Sequence, residues 1–386
     1  MAEWQTVRLG EIVKTNQSTY SPKENWEFVN YLDTGNITMN KIDEIQYINT
    51  AKDKLPSRAR RKVKTNSIIY STVRPNQLHY GIIKEQPDNF LVSTGFTVID
   101  VNYDKAVPDF IYYALTKQEV TEQLQAIAEQ SVSAYPSLKP SDIENLELML
   151  PDKKTQERIV AILRSIDEKI KKNNEINNNL EQQAQAIFKS WFIDFEPFSN
   201  RKPNDWSIST LGNVSIMGAG GDKPQNVSPI KTDLYEYPIY SNGLSDEGLY
   251  GFTDKPKIFE ESVTVSARGT IGFVCLRHIP YVPIVRLVTL IPKTEIISAK
   301  YLYLWLKQLH ITGTGTTQQQ LTVPDFQKTE ILVPSQEIVT LFTATVEPIF
   351  EKIWANQNEN EKLSSLRDTL LPKLMSGELD VSNIEI

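Results

Sequence analysis

The chain has one cysteine and three histidines among its 386 residues. A lone thiol, Cys275, cannot form an intramolecular disulfide, and the first residues lack the basic and then apolar pattern of a signal peptide, so we expect a cytoplasmic protein. Three scattered histidines and one cysteine form no cluster with metal-ligand spacing. No uncharged apolar run approaches the roughly 20 residues that a membrane helix needs, which argues against membrane insertion.

Sequence signatures of enzymes are absent as well. The chain contains no G-x-x-x-x-G-K-[ST] phosphate loop and no H-E-x-x-H sequence, so ATP hydrolysis and zinc chemistry have no visible machinery. Asp152, Asp167 and Lys169 resemble a nuclease carboxylate pattern, but the last two lie in a periodic helical segment, which favours a chance arrangement. Cys275 lies in an apolar, strand-like run typical of a protein core. We predict no catalytic residue and no metal site.

The net charge of −7 limits how the protein can contact nucleic acid. Non-specific DNA binding depends on Lys and Arg side chains that neutralise phosphates, so an acidic chain does not coat DNA, and any contact must be local. Apolar residues make up 40% and charged residues 23%, as in ordinary globular proteins. At roughly 100–200 residues per domain, the length predicts two to three domains.

The sequence contains an internal repeat. A Trp-x4-Leu-Gly sequence at residues 4–10 recurs at 206–212, an offset of 202. The offset falls to 191 near residue 110 and to 183 from residue 138 onward, so the second copy is shorter. Each copy begins with short β-rich runs separated by glycine and proline, and it ends in a helical segment. Two tandem half-molecules are implied.

These patterns predict an α+β protein. Two globular domains of mixed α/β content are joined by two long helices that form an antiparallel coiled coil, and an approximate two-fold axis relates the halves. The first globular domain is predicted over 1–150 and the first helix over 151–200. The second globular domain follows over 201–334, and the second helix with a C-terminal tail over 335–386.

The helical segments carry matched heptad seams. Asparagines occupy the same two places in both, and a seam asparagine is known for fixing the register of coiled-coil partners at some cost in stability. The alternative is that each helix packs only on its own globular domain. Pro348 is expected to kink or delay the second helix. The predicted seam residues are Ile159, Leu163, Ile166, Ile170, Asn173, Asn177, Leu180, Ile187, Val346, Ile349, Ile353, Asn356, Asn360, Leu363 and Leu370.

A basic segment in the first globular domain is the strongest candidate for phosphate contacts. It carries seven positive charges in thirteen residues against one acid, Asp53. Because the chain as a whole is acidic, this local excess of positive charge favours nucleic-acid binding. The alternative is an ordinary solvated surface. The basic residues are Lys52, Lys54, Arg58, Arg60, Arg61, Lys62 and Lys64.

A [Ser/Thr]-x-Arg sequence follows a β-rich run in both halves. Arg, Asn and Gln make bidentate hydrogen bonds to guanine and adenine edges, so these segments are candidates for base recognition, with turn stabilisation as the alternative. Arg277, Arg286 and Gln320 are weaker candidates, and Arg286, in an apolar run, equally fits a buried ion pair. The candidates are Arg74, Asn76 and Gln77 in the first half and Lys223, Ser241, Asn242, Arg268, Gln318 and Gln319 in the second.

Together these residues make the chain resemble the specificity subunit of type I restriction–modification systems. The resemblance covers nearly the whole length. It rests on the tandem Trp-x4-Leu-Gly sequences, the segments 31–36 and 265–270, the Leu-x-Leu-x-x-Pro-like ends at Pro151 and Pro334, and the helix end at 189–195. It implies two target-recognition domains that each read one half of a bipartite DNA site.

The resemblance also implies partners. The two helices would form the spacer and dock two DNA methyltransferase subunits, and restriction subunits that translocate DNA would join them in host defence. S-adenosylmethionine, ATP and Mg²⁺ would then bind the partner subunits, and this chain would be a non-catalytic reader of double-stranded DNA. The alternative function is a coiled-coil adaptor without DNA specificity of its own.

Overall fold

The computed structural model describes residues 4–130, 136–313 and 320–384. In the first half of the chain the elements are β1 (Gln5–Arg8), β2 (Val13–Thr15), β3 (Phe28–Leu32), β4 (Ile37–Thr38), β5 (Lys41–Ile42), β6 (Gln46–Asn49), β7 (Ala59–Lys62), β8 (Ile68–Ser71), β9 (Tyr80–Ile82), β10 (Phe90–Ser93), β11 (Phe96–Val101), α1 (Pro108–Leu115), α2 (Gln118–Glu129), α3 (Pro140–Glu144), β12 (Glu147–Leu150) and α4 (Lys153–Phe192). In the second half they are β13 (Ser207–Thr210), α5 (Leu211–Val214), β14 (Ser215–Ala219), β15 (Tyr237–Tyr240), β16 (Leu249–Thr253), β17 (Ser262–Val265), β18 (Val274–Arg277), β19 (Val282–Pro283), β20 (Val288–Pro292), α6 (Ala299–Gln308), α7 (Val323–Phe326), β21 (Glu330–Val333) and α8 (Gln336–Ser376).

The chain divides into two units. Unit 1 contains the residues up to Lys172 together with those from Glu359 onward, and unit 2 contains Asn173–Asn358. Each unit therefore holds one globular α+β domain and a section of both α4 and α8. The predicted fold class is confirmed, including the internal repeat and the two long helices.

Unit 1 is built on two four-stranded sheets. One has the order β6-β3-β10-β7, with β3 and β10 parallel, and the other has the order β2-β11-β8-β9 and is antiparallel. A short antiparallel pair, β1 with β12, connects the two ends of the domain. Strands β8 and β10 are buried at every residue, which is why they are continuous apolar runs rather than alternating ones.

Unit 2 repeats the arrangement of the main sheets, and its second sheet is one strand smaller. Its antiparallel sheet has the order β14-β20-β17-β18, its second sheet has the order β16-β15-β19 with β15 and β19 parallel, and β13 pairs with β21. Where unit 1 has the edge strand β7, the described part of unit 2 has only an isolated bridge between Ile258 and Tyr281. The strand that carries three of the seven basic residues of the segment, Arg60, Arg61 and Lys62, is thus specific to unit 1.

Within each unit the sections of α4 and α8 run antiparallel. In unit 1, Arg367 Nη1 lies 3.1 Å from Asp167 Oδ1, and in unit 2, Asn356 Nδ2 donates to Asn177 Oδ1 at 2.7 Å. All the predicted seam residues are buried or half-buried. The polar contact at Asn177 satisfies side chains that would otherwise be costly to bury.

The ends of the long helices also complete the cores of the globular domains. In unit 1, Leu163 of α4 and Leu374 of α8 belong to the same apolar cluster as Phe110. In unit 2, Phe188 of α4 and Phe342 of α8 belong to the same apolar cluster as Tyr301. Helix pairing and packing on the domain, which the sequence analysis treats as alternatives, therefore both occur. A straight helix has 3.6 residues per turn, so its buried face departs gradually from the 3.5-residue period of a heptad seam. Near the end of α4 the buried positions are accordingly 184, 188 and 192, four residues apart.

The expectation for Pro348 is wrong in one respect. Helix α8 begins at Gln336, so the proline does not delay its start. Proline removes the hydrogen bond to the carbonyl four residues earlier, that of Ala344, and both residues are exposed. Water can hydrate that carbonyl, which lowers the cost of a proline inside the helix.

No helix in the described ranges combines the length and the apolar character that crossing a membrane requires.

Candidate nucleic-acid interface

The basic segment of unit 1 separates into exposed and half-buried residues. Lys52, Lys54 and Arg58 are exposed in the connection between β6 and β7. Arg60 and Arg61 lie on β7 and are half-buried, because this strand pairs with β10 on one side and Thr19 bridges to Arg61 on the other. Strand pairing therefore removes part of the predicted patch from solvent.

Several charges of the segment are engaged within unit 1. Lys62 forms an ion pair with Glu24, and its ammonium group lies 5.1 Å from the centre of the Trp26 ring. Lys64 lies 3.5 Å from Asp100. Burial lowers the pKa of the Arg61 guanidinium. The residues of this segment that remain open for phosphates are Lys52, Lys54 and Arg58.

Arg60 and Arg61 each bury one nitrogen donor. Neither Arg60 Nη1 nor Arg61 Nε has a hydrogen-bond partner among the described residues. Buried donors are normally satisfied, so the pairing of β7 leaves these two nitrogens buried at an energetic cost.

The loop after β8 presents Arg74, Asn76 and Gln77 to solvent. Arg74 has a φ of 48°, in the left-handed region that a non-glycine residue rarely adopts without compensation. Its backbone N–H donates to the carbonyl of Pro136 at 3.1 Å. The N–H of Asn76 donates to the side chain of Gln125 on α2 at 3.2 Å. The loop is therefore held by backbone contacts while the three predicted base-reading side chains stay exposed.

The matching loop of unit 2 is held in the same way. Its backbone carbonyl at Ala267 accepts a hydrogen bond from Leu321 at 3.0 Å, as Thr72 does from Leu138 at 2.7 Å in unit 1. Arg268 is exposed, and its Nε and Nη2 donate to Gln320 Oε1 at 3.1 and 2.8 Å. The two halves thus present an arginine from equivalent loops.

Asn242 connects this loop to a second turn. Its Oδ1 accepts from the backbone N–H of Ala267 at 2.7 Å, and its Nδ2 donates to the carbonyl of Val285 at 2.5 Å. Both ends of the amide are engaged within unit 2, so this geometry suits a residue that positions the loop. Of the other predicted residues, Ser241 is half-buried with its hydroxyl 3.4 Å from the carbonyl of Gly248, and Lys223 is exposed.

The alternative of a buried ion pair at Arg286 does not hold. Arg286 is exposed, with a φ of 60°, in the turn between β19 and β20. The buried arginine is Arg277 on β18, which is 3% exposed. It lies 3.6 Å from the centre of the Tyr240 ring, and its Nη1 is 2.9 Å from Glu247. The apolar neighbours of Arg286 gave no sign of the turn.

Gln318 and Gln319 lie outside the described residues. Sequence reasoning also missed Gln125, which supports the Arg74 loop from 49 residues away in the chain. No local pattern marks such a contact.

The nuclease-like residues have structural contacts instead. Asp152 caps α4, and hydrogen bonds from the hydroxyl and backbone N–H of Thr155 lower the pKa of its carboxyl. Asp167 accepts from the hydroxyl of Tyr113 at 2.7 Å and pairs with Arg367. Over the ranges that the structure covers, no group of three or more His, Cys, Asp or Glu side chains could hold a metal ion.

Cys275 is expected to resist alkylation in the native chain. It lies on β18 with 5% exposure, and burial raises the pKa of the thiol to about 12. Because the thiolate is the nucleophile, we expect reaction with iodoacetamide at pH 8 to be at least about 100-fold slower than in the urea-unfolded chain. Mass spectrometry measures both rates. Equal rates would contradict a core position.

The comparisons with known proteins agree with this architecture. The family model of the type I restriction modification DNA specificity domain matches residues 1–182 and 203–364. The type I restriction enzyme HindI specificity subunit of Haemophilus influenzae is 29% identical over 465 residues, which cover 98% of this chain and 100% of that protein. The type I restriction enzyme MjaIX specificity subunit of Methanocaldococcus jannaschii is 27% identical over 73% of this chain and 71% of that protein.

A solved structure shares the fold. The crystal structure of the type I restriction–modification system S subunit from M. genitalium has a TM-score of 0.57 at 17% sequence identity, and the alignment covers 99% of this chain and 97% of that chain. The family match covers most of the sequence and falls once in each half of the repeat. The chain therefore belongs to the family of type I restriction–modification DNA specificity domains.

Proposed function

We propose that this chain is the sequence-specific DNA-binding subunit of a type I restriction–modification complex, in which each globular domain reads one half of a bipartite site. One observation carries the proposal: the specificity family matches each half of the repeat separately. Each half also presents an exposed arginine from an equivalent loop. The proposed recognition domains are 1–150 and 201–334, with the spacer segments 151–200 and 335–386.

The exposed residues divide into two kinds of DNA contact. Lys52, Lys54 and Arg58 lie where they can contact phosphates, which fix the position of a protein on DNA without reading sequence. Arg74 and Arg268 lie on exposed loops at equivalent places of the repeat, and arginine reads guanine through its O6 and N7 atoms.

The partners follow from the same proposal. The outward faces of α4 and α8 would dock two methyltransferase subunits, and restriction subunits would join that complex in the cytoplasm. S-adenosylmethionine, ATP and Mg²⁺ would bind those partners. The sequence has no phosphate loop of the kind that holds ATP. The chain itself would select the DNA and carry out no chemistry.

A map of methylated adenines tests the proposal directly. Cells that carry the complete operon are compared with cells that lack only this gene, with expression of the methyltransferase subunit confirmed in both. We expect a bipartite motif that disappears with the gene. An unchanged map in cells where the complex is assembled would favour the adaptor function instead.

Removal of the three exposed basic side chains should weaken DNA binding without changing its sequence preference. A chain with Lys52→Ala, Lys54→Ala and Arg58→Ala is expected to reduce the slope of log K against log salt by about 0.9 for each phosphate that these side chains no longer neutralise. Binding titrations at several salt concentrations measure this slope. A control with Lys14→Ala and Lys154→Ala, two exposed lysines outside the segment, should keep it. Equal slopes for the triple variant and the wild type would exclude these residues as phosphate contacts.

A further inference from the structure

Each unit buries a charged residue at the same position of the repeat, but the two charges have opposite signs. Asp109 is the second residue of α1, and Lys300 is the second residue of α6. They are separated by the offset of 191 that relates this part of the two copies. Asp109 is 8% exposed and Lys300 is 4% exposed. Buried charges of this kind require partners.

In unit 1 the buried acid binds two basic side chains. Asp109 Oδ1 lies 2.9 Å from Arg164 Nη2 on α4, and Asp109 Oδ2 lies 2.7 Å from Lys84 Nζ after β9. Lys84 also donates to Asn66 Oδ1, just before β8, at 2.8 Å. The cluster thereby joins the globular domain to the first long helix.

In unit 2 the buried base binds two acidic side chains. Lys300 Nζ lies 3.1 Å from Glu347 Oε2 on α8 and 2.7 Å from Glu261 Oε1, just before β17. Its ammonium group is also 5.2 Å from the centre of the Trp354 ring. This cluster joins the second globular domain to the second long helix.

The helix partners also correspond in the repeat. Glu347 follows Arg164 by 183 residues, which is the offset of the long helices. The same contact between domain and helix is therefore made twice, once as acid to base and once as base to acid. Local helix electrostatics does not account for this inversion, because the first turn of a helix favours acids and disfavours a lysine such as Lys300.

The inversion has a consequence for any exchange of domains. If the domain of unit 1 packed on the second long helix, Asp109 would face Glu347. If the domain of unit 2 packed on the first long helix, Lys300 would face Arg164. A like-charged partner would leave the buried Asp109 or Lys300 uncompensated, although the helix side chains themselves are partly exposed. Such contacts are a known means of excluding a wrong partner.

We propose that the two inverted ion clusters match each globular domain to its own long helix, so that the domains are not interchangeable between the two positions. The surface concerned is the start of α1 or α6, and its partner is the oppositely charged side chain on the adjoining long helix. The property concerns assembly of the chain, so its tests do not depend on DNA binding.

The first test uses the full chain and the labelling of Cys275, the only cysteine and a residue of unit 2. Lys300→Asp places three acids together and should raise the labelling rate roughly 100-fold by favouring opening of unit 2. The triple variant Lys300→Asp, Glu261→Lys and Glu347→Arg copies the charges of unit 1 and should label within a few-fold of the wild type. Lys328→Asp, at a lysine whose side chain is 77% exposed, is the control and should have little effect.

The second test examines the matching itself. In a full-length chimera, residues 4–150 replace residues 206–334, so that the acid of the first domain faces Glu347. We expect Glu347→Arg to raise the melting temperature of the chimera and to lower that of the natural chain. A shift of the same sign in both proteins would overturn the proposal. If the chimera does not fold, failure of the triple variant to recover in the first test would overturn it equally.

Discussion

Arg268→Ala is expected to weaken binding to the DNA target by roughly 5- to 150-fold, which corresponds to the removal of one bidentate arginine–guanine interaction. The effect should be confined to one half of the bipartite site. Arg268 is exposed, and only Gln320 holds its guanidinium group in the described part of unit 2, so the side chain can turn to DNA without breaking the core.

Binding to three duplexes checks this prediction: the target found by methylation mapping, and two versions with either half-site scrambled. The variant should become less sensitive than the wild type to scrambling of one half-site and remain fully sensitive to the other. Arg201→Ala, which removes an exposed arginine between α4 and β13, is the control. Equal effects at both half-sites would contradict a reading role for Arg268.

Phe188→Ala is expected to lower the free energy of unfolding of unit 2 by about 3–5 kcal/mol. The ring is fully buried, and its centre lies 5.1 Å from that of Phe192, 5.5 Å from Tyr301 and 5.8 Å from Phe342. These rings come from α4, α6 and α8. Removing Phe188 leaves a cavity where a long helix meets the core of the globular domain.

Urea unfolding followed by tryptophan fluorescence, with Cys275 labelling as a second probe, measures the effect. Phe259→Ala removes the same atoms from a residue that is 66% exposed and should change stability by less than about 0.5 kcal/mol. A similar small change for Phe188 would mean that the α4 end is not part of the core. Because Phe188 contacts rings of both α6 and α8, the loss measures packing on the domain and pairing with the second helix together.

The fold could be predicted where its signals are local. The start of α4 follows from Pro151 and the cap at Asp152, and its length follows from an apolar period that continues without glycine. The repeat could be found because the sequences at 4–10 and 206–212 agree. These features depend on neighbouring residues in the chain, so the sequence alone contains them.

The candidate site was harder to predict because its accessibility depends on distant contacts. The charges of Arg60 and Arg61 suggest an exposed face, but pairing of β7 with β10 half-buries them. Arg277 is buried because Tyr240 and Glu247, from a separate part of the chain, cover its guanidinium group. Periodicity and charge do not reveal which strand or loop lies over a given residue.

The composition of unit 1 has a consequence for the order in which the protein matures on the ribosome. Its core includes Leu374, Met375 and Val381 from the C-terminal part of the chain. Gly377 packs so closely against the indole of Trp4 that a Cβ at this position would clash with the ring. Unit 2 is one continuous stretch of chain that ends at Asn358. The part synthesised first therefore completes its core last, and a nascent chain that terminates early exposes an unfinished apolar surface to chaperones and proteases.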